Sequence, residues 1–159
     1  LAEGFDSPYP RERLYDDRWV VLAGGDSGGA QQDRRSTLEL IEQEPHTAFV
    51  GEAGRLMRPY AILDERGVRY SVRTRVTDYL VVPHLVASVG GVALHRYQVA
   101  VELRETSGLR ALEFPFPAPG LGIDVVWNPL RGDGAFRRWL REVLFEAAAP
   151  LRERQDLPL

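Results

Sequence analysis

The chain contains no cysteine, which excludes disulfides, thiolate zinc sites, iron–sulfur clusters and a Cys nucleophile, and fits a reducing, cytoplasmic setting. It contains no lysine either: all 20 basic residues are arginine, so a P-loop lysine, Schiff-base chemistry and a Ser–Lys pair are ruled out. Long apolar runs are missing too. The stretches "VVWNPL" and "LVVPHLVASVGGVAL" are too short, or too broken by Pro, His and Gly, to cross a bilayer, so no membrane partner is expected. The formal charge of −3 and the pI near 5.7 give no field that would draw in a polyanion, and this segment is not expected to bind DNA by itself. There is no initiator Met, cationic n-region or signal-type stretch at Leu1, and the sequence reads as cut from something longer.

What remains is a chain of 159 residues with 44% hydrophobic content, enough to bury a real core. "RERLYDDRWVVLAG" reads as two short strands meeting near Asp16-Asp17, with Trp19 to Leu22 too apolar for a solvated edge. "GGDSGGAQQDRR" is a polar loop. Ser36 is placed to N-cap the helix "TLELIEQE", and Glu39, three residues on, has capping-box spacing. Pro45 stops that helix before the strand "HTAFVG". "LMRPYAILDERG" has helical spacing at Leu56, Tyr60 and Leu63, with a C-cap at Gly67. "VRYSVRTRV" sets Val68, Tyr70, Val72, Thr74 and Val76 against alternating polar residues, the period of a strand with one polar face. Thr77-Asp78 is expected to open the helix "YLVVPHLVAS", and Gly90-Gly91 separates it from the strand "VAL". "RYQVAVELRETSG" is expected to be helical with Val99, Ala100 and Leu103 inward, followed by the strand "LRALEFP". Near the end, Ile123, Val125 and Trp127 share one strand face. Phe136, Trp139, Leu140, Val143 and Leu144 then follow helical spacing after a cap at Asp133, so both tryptophans are expected to cover a sheet. The alternation of strands and helices predicts an α/β fold with a mostly parallel sheet.

Chemical motifs are sparse. "GDSGG", Gly25 to Gly29, matches the loop around the nucleophile of trypsin-like serine proteases. Those enzymes place their His and Asp upstream of the serine, whereas the first histidine here, His46, lies downstream of Ser27, so the match is read as coincidence. The three histidines, His46, His84 and His95, form no ligand spacing, and no metal site is expected. His46 is read as the start of a strand and His84 as a partly buried ring. Asp16-Asp17 and Asp64-Glu65 are read as solvated charge at a turn and a helix end. With no dinucleotide fingerprint after a strand and no acid, base or nucleophile set, no cofactor and no catalytic residue is expected. The junction "TRVTDYLV" is different in kind. A helix start offers free N–H groups and a positive dipole end, so Thr77, Asp78 and nearby Arg75 can hold a carboxylate or phenolate oxygen of a small ligand.

Taken in order, "PHTAFV", "YAILDERGVRYSVRTRV", "LVVPHLVASVGGVALHRYQVAVEL", "GLRALEFPFP" and "VVWNPLRGDGAFRRWLREVL" resemble the C-terminal effector-binding domain of LysR-type transcriptional regulators, in the branch that includes the nodulation regulators. The resemblance covers roughly Leu14 to Ala149. It implies two Rossmann-like α/β subdomains of the type 2 periplasmic binding protein kind, joined by crossover strands, with a small organic effector held between them. On this mapping residues 28–115 form the second subdomain. Residues 1–27 and 116–159 contribute an incomplete first subdomain, and the winged helix-turn-helix that would bind DNA is absent. Carried over by place in the pattern, the ligand contacts are Phe49, Val50 and Gly51 at one strand end, Arg75, Val76 and Thr77 at the next, and Pro83 in the following helix. The resemblance also implies a dimer or tetramer. Gly24-Gly25, Gly120 and Gly122 are suited to a hinge, and a fragment lacking part of a subdomain should expose apolar surface and self-associate. A transporter's solute-binding protein, or an α/β hydrolytic enzyme using Ser27 or His84, are the alternative readings.

Overall fold

In a computed structural model the described residues are 8–24, 36–131, 134–154, 157 and 159. The "GDSGG" motif, Ser27 and Asp133 lie outside them. The chain divides into two compact units, one of Trp19–Ala118 with Leu159, and one formed by the described residues up to Arg18 together with those from Pro119 to Leu157.

The larger unit holds a five-stranded sheet in the order β4-β3-β5-β2-β6: β2 (Trp19–Ala23), β3 (Pro45–Phe49), β4 (Ser71–Val76), β5 (Val92–Arg96) and β6 (Arg110–Glu113). β3 runs parallel to β4 and β5, whereas β2 is antiparallel to both β5 and β6. Four strands therefore share one direction, but the reversed β2 makes two of the four pairings antiparallel, so the sheet is mixed and not mostly parallel as the alternation of elements predicts. β2 sits inside the sheet with every residue buried, which is why its sequence is apolar at consecutive positions instead of alternating. Val21 and Ala23 join Leu40, Ile41, Tyr60 and Leu63 in one core beneath α1 (Thr37–Gln43) and α2 (Arg58–Glu65). Val20 and Leu22 point the other way, to Val82, Val86, Tyr97 and Ala100 of α3 (Val81–Val89) and α4 (Tyr97–Ser107). Each such fully buried Val or Leu contributes about 1.5–3 kcal/mol.

Several local expectations are met, others corrected. Ser36 caps α1 through a complete capping box. α2 begins at Arg58 with Pro59 in its first turn, and Leu56 lies outside it in a bridge to Val50. α3 does not begin at Thr77-Asp78. The Asp78 carboxylate accepts from the Leu80 N–H at 2.9 Å, forming a turn, and the helix starts at Val81, which leaves Pro83 in the first turn where its missing N–H is harmless. β5 extends beyond "VAL" to Arg96, and α4 starts directly after it. That start sets the helical phase so that Tyr97 and Ala100 are buried while Val99 and Leu103 are only half-buried. β4 carries a bulge: the register passes from His46 opposite Val72 to Thr47 opposite Thr74. Val68, Tyr70 and Val72 therefore pack toward α1 and α2, and Val76 packs toward α3.

Two glycines in this unit are fixed by close packing. A Cβ on Gly24 would lie 2.7 Å from the Val86 carbonyl oxygen, and one on Gly91, which has φ 84°, would lie 2.3 Å from the Pro45 carbonyl oxygen. Both let the start of β5 and the end of β2 pass against neighbouring backbone.

The smaller unit pairs β1 (Arg11–Asp17) with β7 (Leu121–Val126), antiparallel, and packs α5 (Gly134–Arg154) on β1. A register shift at Leu14 leaves its carbonyl free of the ladder, and the Arg152 guanidinium donates to it at 2.9 Å. Arg141 stacks 4.4 Å from the centre of the Trp127 ring and pairs with Glu12. Trp127 is thus half-covered by a cation, whereas Trp139 remains 55% exposed, a correction to the expectation that both rings cover a sheet.

Candidate functional site

Parallel strands end at a common edge, and loops leaving that edge are where α/β folds hold ligands. In the larger unit β3, β4 and β5 end at Phe49, Val76 and Arg96. The ladder continues one step past β3, where the Val50 N–H donates to the Val76 carbonyl at 2.8 Å, and Gly51 then turns back, its N–H donating to the Arg55 carbonyl at 2.9 Å. The Phe49 ring stands edge-on to Tyr79, centroids 5.4 Å apart at 84°. Tyr79 in turn stacks on His95 at 4.0 Å.

The Tyr79–His95 pair is locked by hydrogen bonds at both ends. His95 Nε2 lies 3.1 Å from the Tyr79 carbonyl, so it carries the proton and donates, and the Tyr79 hydroxyl accepts from the Arg96 N–H at 2.8 Å. The Arg96 guanidinium sits 5.7 Å from the Tyr79 ring centre. Burial pushes the His95 ring down to about 4, so it is neutral at physiological pH.

Around this locked cluster lie the residues singled out from the sequence. Phe49, Val50 and Val76 come together at the strand ends, Val50 buried and the other two half-buried with ring and methyls against the α3 core. Arg75 and Thr77 are exposed on the strand and the turn that follow, and Arg75 has no ion-pair partner among the described residues. Pro83 is buried on α3. At the start of α3 the Leu80 N–H is taken by the Asp78 carboxylate and Pro83 has none, so Val81 and Val82 are the first-turn residues whose N–H groups no side chain caps; Leu80 and Val81 are exposed there, at 60% and 38%. The edge thus offers a cation, a helix start and exposed apolar groups on a rigid aromatic base. That combination suits a small molecule with an apolar body and one anionic oxygen.

Tyr79, His95 and Arg96 are the members sequence reading passes over. Their only signal is an aromatic and a histidine each just beyond an apolar run. His84 is exposed instead of partly buried. Asp16 pairs with Arg13, and Asp17, buried, accepts from the Arg18 N–H at 2.8 Å, so these carboxylates serve the strand junction. Among the described residues no group of three or more metal-binding side chains comes together, and no helix is long and apolar enough to cross a membrane.

Residues 3–149 match the family described as the LysR substrate binding domain. The chain belongs to this family. Among LysR relatives it is 27% identical to Nodulation protein D 1 of Mesorhizobium japonicum over 94% of the chain and 48% of that protein, and 26% identical to Nodulation protein D 2 of Bradyrhizobium elkanii over 98% and 47%. It therefore spans about half the length of the curated relatives it matches. Of solved LysR-like folds, the regulatory domain of MexT, a transcriptional activator in Pseudomonas aeruginosa, superposes with a TM-score of 0.68 at 23% identity, over 88% of this chain and 68% of that one. The CcmR regulatory domain of Synechocystis PCC6803, solved in complex with 2-PG, gives 0.68 at 14% identity over 94% and 72%. The α/β fold of the type 2 periplasmic binding protein kind is the one these regulatory domains share.

Proposed function

We propose that this chain is the effector-sensing part of a LysR-type bacterial transcriptional regulator, and that it works by binding, not by turnover. A small organic effector with an apolar body and an anionic oxygen binds at the ends of β3 and β4, against Phe49, Val50, Gly51, Val76 and Thr77, with Arg75 as the charge partner and Pro83 holding the first turn of α3 in place. The observation that carries this reading is the convergence of parallel strand ends, the start of α3 and an exposed arginine with no ion-pair partner among the described residues, in a chain of the LysR substrate-binding family. The nodulation regulators among its relatives and the ligand complex of the Synechocystis domain support it. Binding would favour one conformation of the domain over another, and DNA would be contacted by a winged helix-turn-helix elsewhere in the longer protein, in a cytoplasmic dimer or tetramer.

The test is a residue-resolved NMR titration with benzoate and its uncharged counterpart benzamide. Benzoate should move the amides of Gly51, Thr77, Leu80 and Val81, and benzamide should do so at least about tenfold more weakly, a charge-assisted hydrogen bond being worth about 1.5–3 kcal/mol. Arg75→Gln should erase that preference. Equal binding of the two probes by the unaltered chain would remove Arg75 from the site, and unmoved strand-end amides would remove the site.

A further inference from the structure

Away from those strand ends, a pocket of about 260 Å³ lies between the start of β3, the middle of β4 and the end of α3, with Pro45, Thr47, Arg73, Thr74, Val89 and Gly90 in its wall. We propose that this pocket is a second binding site, for a small monocarboxylate that also carries a hydroxyl group on an apolar body.

The polar floor is the first argument. Thr47 and Thr74 stand opposite each other in the β3–β4 register. Thr47 is only 3% exposed, yet neither hydroxyl makes a hydrogen bond among the described residues. Their oxygens open onto the cavity, so whatever enters it supplies the partner that buried hydroxyls ordinarily find within the protein. The cause is the bulge in β4. One residue of β3 faces two of β4, Arg73 drops out of the ladder, and Thr74 is turned to the side on which Thr47 lines the cavity. Two hydroxyls on adjacent strands are thereby left to a partner from outside.

Charge selects the rest of the ligand. Arg73 is exposed at the mouth and has no carboxylate partner among the described residues, so it favours one anionic group there. α3 ends at the same pocket, with Gly90 as its C-cap. The negative end of that helix disfavours a second negative charge on the floor, so a hydroxyl faces the threonines better than a second carboxylate does. Pro45 and the 70% exposed Val89 supply apolar walls. His46, which also lines the cavity, brings no free ring group, because its nitrogens are engaged by Ile41 and Tyr60. The volume lies just under the range of sites for drug-sized ligands, so the occupant has about ten non-hydrogen atoms.

The inference does not rest on the strand-end site, and a residue-resolved readout separates the two. The whole chain is titrated with 4-hydroxybenzoate, benzoate and benzene-1,4-dicarboxylate while the amides of Thr47, Thr74, Val89 and Gly90 are followed. 4-Hydroxybenzoate should move these four, with benzoate and the dicarboxylate weaker at them by about tenfold or more. Thr47→Val should weaken 4-hydroxybenzoate by a similar factor and leave benzoate unchanged at the same amides. Arg73→Gln should weaken all three. The comparison of 4-hydroxybenzoate with benzoate needs no mutant, so it decides the matter even if Thr47→Val fails to fold. Equal affinity for those two at the four amides, or shifts confined to Gly51, Thr77 and Leu80, would overturn the proposal.

Discussion

His46, read from the sequence as the start of a strand and not as a ligand, has both ring nitrogens in structural bonds. It is fully buried, its Nε2–H donates to the Ile41 carbonyl at 2.8 Å, and its Nδ1 accepts from the Tyr60 hydroxyl at 3.2 Å, so one neutral tautomer meets both partners. Burial lowers its pKa, and burial likewise pushes that of His95 to about 4. The unfolded chain takes up both protons near pH 6.5. The neutral rings therefore contribute their full stability above that pH and lose it as pH falls below 6.5, for His95 down to about 4 and by up to about 1.4 kcal/mol per pH unit while that ring titrates only in the unfolded state. Urea midpoints at pH 7.5, 6 and 5 should fall in that order, and His95→Gln should fall less steeply; parallel curves would show that His95 does not titrate in this window. The sequence makes the absence of ligand spacing plain but not which rings are buried. His95 is enclosed because β5 runs two residues past "VAL", and that length depends on pairing with β2, which is distant in sequence.

Among the elements, α1 is the one whose start can be read off the letters, since a capping box is local chemistry. The Ser36 hydroxyl accepts from the Glu39 N–H at 3.2 Å, and the Glu39 carboxylate accepts from the Ser36 N–H at 2.7 Å. Ser36→Ala should cost about 1 kcal/mol in a urea titration. Glu39→Ala should add less on top of Ser36→Ala than it costs alone, because each residue holds the other; full additivity would mean that the two bonds are independent. α3 and β4 resist the same treatment. The Asp78 turn that delays α3 and the bulge that turns Thr74 depend on packing against β5 and β3, while the letters of "VRYSVRTRV" alternate without a break. The Phe49, Val50 and Val76 edge was still legible, because it needs only the order of strands. The Tyr79–His95 stack was not, since it joins a loop to a strand 16 positions further along the chain.

At the scale of the molecule the two units differ in how much they bury. The larger has helices on both faces of its sheet, whereas the smaller has a two-stranded ladder and one helix, an arrangement that buries little by itself. Helical periodicity correctly marks α5 as amphipathic but cannot say which face finds a partner. α5 rests on β1 through the side that carries Arg141, Phe145, Ala148 and Arg152, and Phe136, Trp139, Leu140 and Val143 form a separate stripe, 57%, 55%, 39% and 38% exposed. A contiguous apolar stripe of this kind favours contact with another surface over water, and in a solution of this chain alone the available surface is the same stripe on a second copy, which gives a self-complementary pair. Sedimentation equilibrium should therefore show concentration-dependent self-association. Trp139→Glu combined with Leu140→Gln should abolish it with the circular dichroism unchanged, because neither side chain belongs to the buried face. A chain that stays monomeric at every concentration, or a double variant that associates as strongly as the original, would show that the stripe is not what the chain uses to pair.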